Sequence, residues 1–113
     1  MISMFAIPNC DTVKKARNFL EKNQVAYEFI DFKKTPPTAE QIKHWSTFAG
    51  ELPVNKRGST YRKYKEEYEA LDLDEKIAFI IANVSLIKRP VLERDGKIVA
   101  LGFGEEYYKE LIK

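Results

Sequence analysis

The chain opens with a nearly unbroken apolar run, Ile2 to Ile7, closed by Pro8-Asn9. A short run of this kind, bounded by turn residues, predicts a strand covered on both faces. The period then lengthens. Val13, Ala16, Phe19 and Leu20 recur at helical spacing while Lys14, Lys15, Asn18 and Glu21 are polar, which predicts a first helix. Asn9 or Asp11 suits its start and Asn23 its end. From Val25 to Phe32 the pattern alternates, with Tyr27 and Phe29 on one face and Ile30 and Phe32 on the other, and predicts a second strand. Strand, helix and strand in this order form a βαβ unit, so the two strands should be parallel with a right-handed crossover.

The middle third is helical in pattern. Lys33 to Thr38, with Pro36-Pro37, reads as a loop, and Thr38-Ala39-Glu40-Gln41 resembles a capping box ahead of Ile42, Trp45 and Phe48. Gly50 and Pro53 end that helix. Polar residues from Asn55 to Thr60 lead into a second helix, Tyr61 to Tyr68, and Asp74 opens a third carrying Ile77, Ile80, Ile81 and Val84. Strands return after Arg89-Pro90. Val91 to Arg94 and Lys97 to Leu101 flank Asp95-Gly96, a hairpin signal because a type I′ turn needs positive φ at both central positions. Gly102-Phe103-Gly104 precedes a last helix, Glu105 to Ile112. A βαβ unit completed by an antiparallel hairpin and a final helix is an α/β, thioredoxin-like fold with a mixed four-stranded sheet. The reading is a single domain over residues 1–113, interrupted by a helical insert at about 38–84.

Composition narrows the chemistry. Apolar residues make up 44% of the chain, with seven Phe and six Tyr, enough for a core without disulfide or metal staples. One cysteine and one histidine, His44, cannot assemble a zinc site or an intramolecular disulfide, so no metal is expected. Charged residues are nearly balanced at a net +2, which gives no general reason for nucleic-acid or membrane binding. The basic and aromatic residues Lys56, Arg57, Tyr61, Arg62, Lys63 and Tyr64 run on into Glu66, Glu67 and Glu69, the pattern of an ordinary amphipathic helix. His44 and Trp45 read as structural. The start carries no basic segment before its apolar run and resembles a strand more than a signal peptide, so the expected compartment is the cytoplasm.

Cys10 is the informative residue. It falls in the turn between the first strand and the first helix, where unpaired backbone amides and the positive end of the helix dipole favour an anion. A thiolate is such an anion, and its pKa falls in that setting. Lys14, about one turn on, adds positive charge. A lone cysteine is more often a small buried apolar side chain. The polar neighbours Asn9, Asp11 and Thr12 favour the reactive alternative.

Four segments carry a family resemblance. Pro8-Asn9-Cys10-Asp11-Thr12-Val13-Lys14-Lys15-Ala16-Arg17 resembles the active-site segment of the ArsC/Spx/YffB family, nearest to its small YffB-like thiol reductases. Asn55-Lys56-Arg57-Gly58-Ser59-Thr60-Tyr61-Arg62 resembles the second arginine segment, and Leu86-Ile87-Lys88-Arg89-Pro90-Val91-Leu92 the arginine–proline segment. Leu101-Gly102-Phe103 resembles the tail motif. The resemblance implies a thioredoxin-like fold with a helical insert and a cis peptide at Pro90. It makes Cys10 the nucleophile, and sets Thr12, Lys14, Arg57, Arg89 and Pro90 around an anion or thiol. Two departures stand out. Ala6 occupies a position where arsenate reductases often carry histidine, and Phe103 the place of a third arginine, so arsenate would lose a bidentate partner.

The second cysteine of a C-x-x-C motif is also missing, since Val13 stands there. A monothiol cannot resolve its own mixed disulfide, so an outside thiol must do so. The implied activity is that of a monothiol oxidoreductase with no bound cofactor, acting on a small thiol or oxyanion substrate. Glutathione, another low-molecular-weight thiol or glutaredoxin is its implied reductant. The rival, from a different class, is an Spx-type regulator that binds RNA polymerase.

Overall fold

In the computed structural model, which describes residues 1–111, the opening apolar run forms β1 (Ile2–Ala6). Helix α1 (Asp11–Lys22) and strand β2 (Tyr27–Asp31) follow. The hairpin strands are β3 (Val91–Arg94) and β4 (Lys97–Leu101). The sheet order is β2-β1-β3-β4. β1 pairs with β2 in parallel, Ile2 opposite Tyr27, and with β3 antiparallel, Phe5 opposite Val91. Asp95 (φ 53°) and Gly96 (φ 82°) both take positive φ in the hairpin turn, as type I′ geometry demands. The chain closes with α5 (Glu105–Leu111); the expected last helical residue, Ile112, lies outside the described residues. This is the thioredoxin-like arrangement, an α/β fold with a mixed four-stranded sheet.

The fold divides into two units, each with its own core. The first joins Met1–Thr35 to the segment from Arg89 onward. Its core gathers one face of β1 (Ile2, Met4, Ala6), the inner stripe of α1 (Val13, Ala16, Leu20), Leu92 and Ala100 of the hairpin, and Tyr108 of α5. The 3.6-residue spacing on α1 is what turns these three side chains to the sheet. On the outer side, Arg17 Nε donates to the Tyr27 hydroxyl at 3.0 Å, and that hydroxyl donates to Glu21 at 2.8 Å. The Arg17 guanidinium also lies 4.3 Å from the Phe29 ring centre, tying α1 to the edge strand.

The second unit is Pro36–Lys88. It holds α2 (Ala39–Ala49), α3 (Ser59–Glu69) and α4 (Leu73–Ala82), followed by a 3-10 turn, Val84–Leu86. The expected capping box is formed: Gln41 N donates to Thr38 Oγ1 at 3.1 Å and Thr38 N to Gln41 Oε1 at 2.9 Å. Gly50 ends α2 at φ 77°, a conformation that suits glycine. Trp45 is wholly buried while His44 is exposed. The third helix of this unit starts earlier than its sequence suggests. Asp72, not Asp74, is the N-cap, and it forms a second capping box with Glu75. Val84 belongs to the 3-10 turn because the helix has already ended at Ala82. Likewise β2 begins at Tyr27 rather than Val25, since Val25 N is drawn to Leu20 O at the end of α1.

Candidate active site

Cys10 is itself the N-cap of α1, in place of Asn9 or Asp11. Its backbone is extended (φ −135°, ψ 127°), and its carbonyl accepts the first helical bond from Lys14 N at 2.9 Å. The next residues, Asp11, Thr12 and Val13, are therefore the first three helical positions. An N-cap side chain faces the amides of the second and third of these. The sulfur makes no capping hydrogen bond within the usual geometry, as expected of so weak an acceptor. The two amides act instead on the charged form.

Four influences meet on the thiol. Partial burial, the largest, opposes charge and pushes the pKa up. Against it act the Val13 amide, the Arg89 guanidinium by hydrogen bond and by charge, and the Thr12 amide. The balance holds Cys10 below the ordinary thiol value. Cys10 is the free cysteine of the chain and is half-buried against the core of the first unit.

Arg89 is half-buried beside β3, and its peptide to the buried Pro90 is cis. The Gly102 amide donates to Pro90 O at 2.9 Å, fastening this turn to the end of β4. Thus the structure brings Cys10, Thr12, Arg89 and Pro90 together within the first unit. Lys14 starts the helical ladder through its amide, while its ammonium is exposed. Arg57 belongs to the second unit, on an exposed turn, where its carbonyl accepts from Arg62 Nη2 at 2.9 Å and its amide donates to Asn55 Oδ1 at 3.2 Å. The sequence reading missed the Val13 amide. The signal for it was present, because any N-cap assignment of Cys10 implicates the amides two and three residues on.

The family model described as the ArsC family matches residues 5–111. The chain belongs to the ArsC family. The solved structure of the YFFB (PA3664) protein is similar to it over the full length of both chains, at 34% identity and a TM-score of 0.86. A possible arsenate reductase from Streptococcus mutans UA159 is 34% identical, covers 91% of each chain and has a TM-score of 0.74. The global transcriptional regulator Spx of Streptococcus agalactiae is 28% identical over 94% of this chain and 79% of its own.

Within this ArsC-family chain, the two departures from the arsenate reductase pattern have structural employment. Ala6 is fully buried in the sheet core, where a histidine would not fit without displacing it. Phe103 packs edge-on against Tyr108, with ring centres 4.9 Å apart, and against Phe19 at 6.2 Å. Its ring completes an aromatic corner between α1 and α5 rather than offering a hydrogen bond.

Proposed function

We propose that this protein is a monothiol oxidoreductase that uses Cys10 as nucleophile and an external thiol, glutathione or a glutaredoxin, as reductant. The observation that carries the reading is the place of Cys10 at the N-cap of α1, where the Val13 and Thr12 amides and the Arg89 guanidinium oppose desolvation of its thiol. Each favours the thiolate, the form that attacks disulfide sulfur. In the first step the Cys10 thiolate attacks the glutathionyl sulfur of a mixed disulfide. An S–S bond forms between Cys10 and glutathione, the original S–S bond breaks, and the substrate leaves as its thiolate. In the second step an outside glutathione thiolate attacks the adduct, releases glutathione disulfide and restores Cys10. The net change reduces the substrate's disulfide sulfur to a thiol and oxidises one added glutathione, which leaves in glutathione disulfide, with no bound cofactor.

Thr12, Lys14 and Arg89, all of the first unit, supply hydrogen-bond donors and positive charge suited to glutathione's carboxylates. Arsenate is the weaker candidate substrate, because an apolar ring at Phe103 replaces one guanidinium. The test is turnover of a glutathionylated peptide with glutathione, glutathione reductase and NADPH. Turnover lost on Cys10→Ser supports the reading, and its absence in the wild type contradicts it. The likeness to Spx supports a second reading, a regulator that contacts RNA polymerase. Co-purification with polymerase, unaffected by Cys10→Ser and without thiol turnover, would favour it.

A further inference from the structure

We infer that Tyr108 is a positioning residue for the reactive thiol: its hydroxyl holds the turn that carries Arg89 in place against Cys10. The inference rests on the thiolate reading of Cys10. Three observations build it, all within the first unit. Tyr108 is fully buried on α5, and its hydroxyl donates to Gly102 O at 2.9 Å. The other side of the same residue is also held, since Gly102 N donates to Pro90 O at 2.9 Å. Gly102 is buried with φ at 86°, a conformation that a side-chain-bearing residue adopts only with strain. One hydroxyl therefore grips a glycine whose amide grips the residue next to Arg89.

The aromatic ring holds the other partner. Its centre lies 5.8 Å from that of Phe19 in an edge-on contact, and Phe19 stands on the helix whose N-cap is Cys10. Tyr108 thus touches the thiol's helix with its ring and reaches the guanidinium's turn through its hydroxyl. Packing alone needs only a phenylalanine here. A buried hydroxyl is tolerated because it is hydrogen-bonded, and the bond it makes leads to the site. Of the charged groups around Cys10, Arg89 acts on it directly. Asp11 and Lys14, on the first turn of α1, are exposed, and the Gly102–Phe103 segment brings no titratable group.

Tyr108→Phe keeps the ring and removes the grip. The measurement is the pH profile of iodoacetamide alkylation for the wild type, Tyr108→Phe, Arg89→Ala and the double variant. In Tyr108→Phe the midpoint should rise toward the ordinary thiol value, with a rate about twofold lower on the acid side, the size of effect that indirect couplings have. Combined with Arg89→Ala it should add no further rise, because the group it positions is gone. A folded Tyr108→Phe with the wild-type midpoint, or an equal rise with and without Arg89, overturns the inference. A wild-type measurement covers the case in which Tyr108→Phe does not fold: the Gly102 amide resonance should move with the Cys10 titration, and a flat response overturns it too. A wild-type midpoint at or above the ordinary thiol value would instead defeat the thiolate reading itself.

Discussion

Replacing Arg89 with alanine removes both the hydrogen bond and the charge that help offset desolvation at Cys10, and leaves the Val13 and Thr12 amides to act alone. A hydrogen bond to a charged group contributes about 1.5–3 kcal/mol. The lower end applies at this half-open site, where water screens the pair. That is about a tenfold loss of thiolate at any pH on the acid side of the titration. A thiolate of higher pKa is also the better nucleophile, with a Brønsted slope of about 0.4–0.5, which returns about threefold. Alkylation by iodoacetamide should therefore run about three- to fourfold slower than wild type on the acid side, and about threefold faster on the alkaline plateau. The two profiles should cross. The stability profile changes with them. A thiol held below its unfolded value contributes stability that is present above the unfolded pKa and lost as pH falls through the folded one. Arg89→Ala should shrink that contribution, by the full amount above the unfolded pKa and by less as pH falls through the window between the two. Stopped-flow or plate-based alkylation across the range measures the crossing. A variant slower at every pH, or one whose profile overlays the wild type, refutes the assignment of Arg89.

Tyr68 offers an independent test in the second unit. Burial, followed by the charges of Glu69, Tyr61 and Glu51, pushes its hydroxyl up to about 12, so the unfolded chain ionises first and stability falls as pH rises from about 10. The loss is at most about 2.7 kcal/mol, and Tyr68→Phe should flatten the urea-unfolding curve in that window; parallel curves would contradict the cause given. Trp45 is fully buried, so Trp45→Ala should cost about 3–5 kcal/mol in the same assay, and a loss under 1 kcal/mol would mean the site collapses around the gap. Arsenate-dependent NADPH oxidation, coupled through glutathione, glutaredoxin and glutathione reductase, should stay at background; robust turnover abolished by Cys10→Ser would mean that the remaining cations suffice.

Sheet and helices were legible because each element's hydrophobic period matches what it buries. β1 carries a continuous run, and Ile2, Met4, Phe5, Ala6 and Ile7 are all buried. The Asp95-Gly96 hairpin and the Thr38 capping box were readable from local chemistry alone. Ends of elements were less so. Asp72 and Asp74 are equally good caps by residue type, and what separates them is Glu75, which reaches back to Asp72. The place of Cys10 at the start of α1 was readable from the turn residues around it. The amides that act on its thiol were readable in kind, as unpaired groups of a helix start, but naming Val13 and Thr12 requires knowing that Cys10 itself is the N-cap. The Tyr108–Gly102–Pro90 connection is a long-range contact that no periodicity encodes. Phe103 was read as a missing arginine, whereas its partners Phe19 and Tyr108 give it a packing role of its own.

The central claim is that Cys10 is an activated monothiol that forms a mixed disulfide with a small thiol. Intact-mass analysis after exposure to glutathione disulfide near neutral pH tests it most directly. The account predicts a single glutathionyl adduct, mapped to Cys10, absent in Cys10→Ser and removed by fresh glutathione. A wild-type protein that stays unmodified under conditions in which a free cysteine peptide reacts would contradict it.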